Sequence, residues 1–254
     1  MVQQSQDKPK EIEFFDTLAR KGAEYDVFHE AGYHRLFDAF ATMVRPQPGQ
    51  LLLDIGCGTG AVTRRIADRF ELQCVGLDIS LWCARMGRTT APHIPFLVGD
   101  AEQVPFSESS LDIVTFSALL HHFADFRTVA AEAYRVLRDG GRFFSFDPNV
   151  YNPAMWLYRG RNSPLRSDVG VTENERLLSQ GEITSVFQSA GLRTQAKAVS
   201  GLPFRYVESD IAQKLLPVYN TLDRTLGALP IAQKVGAFVV CAGTKTPRTH
   251  DSTA

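Results

Sequence analysis

The chain lacks an excess of charge of either sign: 27 basic against 28 acidic residues leave a formal net charge of −1 over 254 residues. A surface so balanced carries no broad electropositive footprint for nucleic acid or for an anionic membrane. Cysteine is scarce. The four present, Cys57, Cys74, Cys83 and Cys241, form no C-x-x-C pair and no metal-ligand spacing. They exclude a disulfide framework and read as small buried side chains in a reduced compartment. No apolar run approaches a membrane span, and the opening MVQQSQDKPKEIEFF lacks the apolar stretch of a secretory signal. The expected location is the cytoplasm, without integral membrane association. Repeats and low-complexity tracts are absent as well.

What is present suits one large α/β domain. Ile12, Phe15 and Leu18, then Tyr33, Leu36, Phe37 and Phe40, recur at helical spacing and predict two helices at the start. Pro46, Pro48 and Gly49 break that pattern, and strands then alternate with helices. Short apolar runs at 50–55, 73–78, 95–98, 112–116 and 142–146 predict five strands. Helices are expected over 61–70, after an N-cap at Ser80, and over 126–137, the last closed by Gly140-Gly141. This rhythm implies a parallel sheet with helices on both faces. Beyond Asp147 it changes. Residues 148–178 read as a partly irregular insertion, Ser179-Gln-Gly-Glu182 is a capping-box pattern, and strands are expected over 193–199 and 237–242. Leu215, Leu222, Leu226 and Leu229 lie on an expected helix over 207–229, and the polar tail after Pro247 is expected to be disordered.

The informative segment is Leu51-Leu-Leu-Asp54-Ile-Gly56-Cys57-Gly58-Thr-Gly60. Alternate glycines between a strand and a helix let the backbone turn tightly and approach a ligand closely. A dinucleotide-binding turn would use G-x-G-x-x-G, whereas the spacing here is G-x-G-x-G with a carboxylate two residues ahead. Such a carboxylate repels a pyrophosphate and suits a ligand bearing an amino group and no phosphate.

This segment resembles the first motif of the class I S-adenosylmethionine-dependent methyltransferases, in particular the small-molecule, type 11-like members. The likeness continues through Val75-Gly-Leu-Asp78-Ile79-Ser80, Val98-Gly-Asp100-Ala101-Glu102, Val104-Pro-Phe106, Leu111-Asp-Ile-Val114, Leu120-His-His122 and Arg135-Val-Leu-Arg-Asp-Gly-Gly141. It spans residues 50–147 in order. The resemblance implies a doubly wound, Rossmann-like seven-stranded sheet, mostly parallel with an antiparallel last strand. Residues 1–246 would form one domain, comprising a helical lid (1–49), a cofactor core (50–147) and acceptor-side insertions at 148–178 and 203–235.

It also implies S-adenosylmethionine as cofactor. Gly56, Cys57, Gly58 and Gly60 would lie against its methionine portion, with Asp54 behind the amino group. Asp78 would accept from the ribose hydroxyls, or serve only to start the following helix. Asp100 and Ala101 would hold the adenine between Ile79 and Val104; Asp112 is read as structural. Tyr25 would close over the cofactor, or simply pack its helix, and Ser117 would lie at the end of the fourth strand.

Methyl transfer is mainly alignment, and a base is needed only where the acceptor must lose a proton. Ser117, His121, His122, Asp147 and Asn149 fall where such a group belongs. His121 is the preferred base with Asp147 as its partner, although the histidine pair could equally cap and pack the next helix. No carboxylate stands at ligand spacing from the pair, so no metal is expected. Tyr151, Trp156, Tyr158, Arg159, Arg161 and Arg166 are candidates to face the acceptor, expected to be a small or lipid-like molecule methylated on oxygen. A homodimer is possible on this reading. Two rivals remain: a non-catalytic S-adenosylmethionine-binding regulatory subunit, and an NAD-dependent oxidoreductase.

Overall fold

The computed structural model of the protein describes residues 7–21, 26, 28–163, 166, 172, 174–202, 204, 210–227, 229 and 231–247. Two helices come first, α1 (Lys8–Arg20) and α2 (Glu30–Val44). Alternation follows: β1 (Leu51–Ile55), α3 (Ala61–Phe70), β2 (Gln73–Asp78), α4 (Leu81–Thr90), β3 (Phe96–Val98), β4 (Leu111–Ser117), α5 (Arg127–Val136) and β5 (Leu137–Pro148). The remainder is α6 (Pro153–Arg159), α7 (Gln180–Ser189), β6 (Leu192–Val199), α8 (Asp210–Leu226), α9 (Ala232–Val235) and β7 (Phe238–Lys245). One sheet has the order β3-β2-β1-β4-β5-β7-β6. Neighbours from β3 to β5 are parallel, and β7 runs antiparallel between β5 and β6. The seven-stranded sheet with a reversed last strand agrees with the expectation from sequence.

Central strands are apolar on both faces because helices cover both. Leu52, Ile113 and Phe144 belong to one core with Leu36, Phe37 and Phe40 of α2, where Phe40 meets Phe144 edge to face at 5.3 Å. Leu53, Val114 and Phe143 belong to the other, with Val129 and Ala133 of α5 and with Phe187 of α7 stacked on Phe143 at 4.0 Å. Each such ring contributes about 1.5–3 kcal/mol by leaving water. Among the described residues no helix is long and apolar enough to cross a membrane.

The structure differs from expectation in three places. Helix α5 does not run to Gly140-Gly141; Leu137 already turns extended and pairs with Leu111, so the glycines lie inside β5, past a register shift against β4. Ser179 does cap α7 by accepting from the Glu182 backbone N–H, but the Glu182 carboxylate is turned to Arg176, 2.6 Å away. The insertion is also less irregular than its composition suggests, because Asn152 caps α6 and Pro153 opens it. The tail after Pro247 lies outside the described residues.

Candidate active site

Strands β1 and β4 are neighbours whose connections leave to opposite sides, and open α/β sheets bind ligands at such a point. A cavity of about 900 Å³ opens there. Its lining includes Gly56, Cys57 and Gly58 after β1, Asp78 and Ile79 after β2, Asp100 and Ala101 after β3, and Ser117 at the end of β4. The structure thus brings together eight of the residues expected to hold the cofactor. Tyr25 lies outside the described residues.

Gly58 has φ of 53°, and a Cβ built on it would meet nothing within 4 Å. The floor of the cavity is therefore bare backbone facing open space, a cradle that fits a ligand in close main-chain contact. Asp78 Oδ2 accepts from the Gly58 N–H and Oδ1 from the Ser80 N–H, each at 2.8 Å. The helix-start reading and the cavity reading both hold, since this carboxylate shapes the glycine loop and still lines the cavity. Burial raises its pKa, backbone donors opposing. Asp100 Oδ2 is paired with Lys8 Nζ of α1 at 2.6 Å, while Oδ1 accepts from the Glu102 N–H.

Three expected positions are corrected. Asp54 does not line the cavity; fully buried, it accepts from the hydroxyls of Thr63 (2.6 Å), Ser117 (2.7 Å) and Thr115 (3.0 Å). Gly60 does not line it either, because a Cβ there would stand 2.6 Å from the Phe96 ring, so this glycine seats the loop on β3. Val104 is buried in the core below.

Burial pushes Asp54 up to about 6 from the usual 3.8, partly offset by its hydroxyl donors. A raised folded-state pKa means that the folded protein holds this proton more tightly than the unfolded chain. The resulting stability is fully present below about pH 4 and lost as pH rises through about 6. The expected loss is on the order of 3 kcal/mol. Denaturant titrations of the protein and Asp54→Asn across pH 4–7 should show that slope in the protein only; parallel curves would refute it.

The same cavity is lined by His121 and His122, on a short 3-10 turn after β4, both 7% exposed. His121 Nδ1 is 2.9 Å from Asp147 Oδ1, and the same oxygen accepts from the His121 backbone N–H at 3.1 Å. Asp147 is fully buried behind the imidazole, not on the cavity wall. Burial pushes His121 down, which keeps the ring uncharged, and pushes Asp147 up. His122 Nδ1 lies 3.2 Å from Glu11 Oε2 of α1, without hydrogen-bond alignment, and 3.3 Å from Thr172 Oγ1. Burial alone would lower His122; Glu11, Glu175 and Asp147 together outweigh it and the net shift is upward.

Asn149 is not a candidate base: its side-chain amide donates to the carbonyls of Gly236 and Lys234, tying β5 to α9. Tyr158, Arg159 and Arg166 of the insertion do line the cavity, whereas Tyr151, Trp156 and Arg161 do not.

Several lining residues were missed from sequence. Phe15 and Leu18 were legible as an apolar stripe, but not that the stripe closes over this cavity, nor that Glu11 beside it reaches His122. Glu175 also lines the cavity, and one potential ligand atom from each of His121, His122 and Glu175 lies within 4.8 Å of the others. No spacing rule connects residues more than 50 positions apart. The rings of Phe28, Phe204 and Phe238 meet at 5.3–5.9 Å and form an apolar wall.

Comparison with known proteins gives the same picture. Residues 53–145 match the family described as a methyltransferase domain. A ubiquinone/menaquinone biosynthesis C-methyltransferase from Caulobacter vibrioides is 28% identical over 212 residues, covering 76% of this chain and 83% of that protein. A demethylmenaquinone methyltransferase from Renibacterium salmoninarum is 34% identical, covering 59% of this chain and 65% of its own length. Among solved structures, a methyltransferase of Thermotoga maritima described as a possible histamine N-methyltransferase matches with a TM-score of 0.64 at 20% identity, over 92% of this chain and 99% of that one.

Proposed function

We propose that this chain, which belongs to the class I S-adenosylmethionine-dependent methyltransferases, methylates a small acceptor with an apolar body and an ionisable hydroxyl. The observation that carries this reading is one cavity lined together by the Gly58 cradle, Asp78, an aromatic wall and His121, whose ring is braced from behind by Asp147.

S-adenosylmethionine, when bound, supplies an activated methyl group. The chain's own residues then have separable tasks. Asp78 accepts from the ribose hydroxyls with its remaining lone pairs. Asp100 and the Ala101 backbone hold the adenine, and Ile79 flanks it. Gly56, Cys57 and Gly58 present backbone to the methionine portion. Asp54 acts one step back, by fixing the Ser117 hydroxyl that lines the cavity. Phe28, Phe204 and Phe238 exclude water and hold the acceptor's apolar body. His121, neutral and oriented by Asp147, takes the proton of the acceptor hydroxyl on its free Nε2.

Oxygen is the methylated atom expected from sequence. The name of one relative weighs instead toward carbon; a ring carbon beside the hydroxyl becomes electron-rich as that hydroxyl ionises, takes the methyl group and then releases its own C–H proton to water as the ring regains aromaticity. Incubation with methyl-tritiated S-adenosylmethionine and demethylmenaquinol tests this. Label in a carbon-bound methyl group is the expected result. Label on oxygen would refute the carbon assignment, and no transfer despite bound cofactor would favour a regulatory binder.

A further inference from the structure

We propose that His121, His122 and Glu175 form a divalent transition-metal site on the wall of the cavity. This deepens the methyl-transfer reading and rests on it for the acceptor, while metal binding itself is measured independently of it. One ligand atom from each residue lies within 4.8 Å of the others, and all three line the cavity.

His121 is braced as metal ligands usually are, by a carboxylate on its Nδ1, and His122 stands beside a second carboxylate. His121 Nδ1 contacts Asp147 Oδ1 at 2.9 Å, and His122 Nδ1 lies 3.2 Å from Glu11 Oε2. The cluster takes one ring nitrogen from each histidine. Glu175 is held in its turn: the Thr172 N–H donates to Oε1, and Arg159 stands 3.9 Å from Oε2. Two imidazoles and one carboxylate suit zinc, iron(II) or cobalt(II) better than the oxygen-seeking magnesium or calcium.

Three protein ligands leave open positions on the ion, and these face the cavity. The ligand class that fits there is an acceptor oxygen, a phenolate or enolate, whose ionised form the metal favours. His121 then serves as a ligand; in metal-free protein the same nitrogen is available as the base.

The test is titration of the chelator-stripped full chain with cobalt(II), followed by calorimetry and visible absorption. Binding of about one ion per chain is expected, at least tenfold weaker in Glu175→Gln and His122→Gln, and about 10–100-fold weaker in Asp147→Asn. His93→Gln, a substitution at an exposed histidine beside Asp68, should bind as the parent does. S-adenosylhomocysteine affinity, measured on every variant, reports an intact fold and the cofactor site separately. No cobalt binding, or equal binding by the Glu175 and His122 variants, overturns the site and leaves the methyl-transfer reading untouched.

Discussion

Asp78→Ala is expected to weaken S-adenosylhomocysteine binding about 100-fold. The carboxylate stands at the end of β2 with one oxygen on the Gly58 N–H and the other on the Ser80 N–H. A charged acceptor is worth about 1.5–3 kcal/mol per hydrogen bond to a ligand, and 100-fold corresponds to about 2.7 kcal/mol. Removal of the side chain also frees the Gly58 loop, so the ligand must order that backbone when it binds. Asp78→Asn keeps one acceptor oxygen and should lose about tenfold. Calorimetric titration measures both, with circular dichroism to show that the fold is intact. Unchanged affinity in a folded Asp78→Ala protein would place the ribose elsewhere.

His121→Ala should act on turnover and leave cofactor binding alone. A positioned base contributes about 10²–10⁴-fold, so kcat for methyl transfer to the acceptor is expected to fall by about that factor. The Kd for S-adenosylhomocysteine should stay within about twofold, since the imidazole is assigned to the acceptor and not to the cofactor. Asp147→Asn tests the partner. It preserves shape and can still accept from the His121 backbone and ring on one oxygen, but it cannot carry the charge that would stabilise a protonated ring, and turnover should fall without a change in Kd. Equal turnover in His121→Ala would remove the imidazole from the chemistry.

The sheet was legible because its signals are local. The apolar run of β2 and the helical run of α3 have the same ends in sequence and structure, Gln73–Asp78 and Ala61–Phe70, each bounded by a turn of plain chemistry. Ser80 was legible as a cap for the same reason. The glycine pair misled because its position depends on a pairing: Leu137 is drawn into the sheet by Leu111, and nothing within the helix announces that. That Gly58, Asp78, Asp100 and Ser117 share one cavity was legible because they sit at consecutive strand ends. Even there the motif did not separate Gly58, which faces the cavity, from Gly60, which faces Phe96. The acceptor site was legible only as far as His121 and Asp147. Glu11 and Glu175 reach it from α1 and from the insertion, through tertiary packing that no periodicity records.

The most direct test of the account is a crystal structure of the full chain with S-adenosylhomocysteine. It should show the ribose hydroxyls on Asp78, the adenine beside Asp100 and Ala101, and the sulfur turned toward His121. A nucleoside seated away from Asp78, or a sulfur facing away from His121, would contradict it.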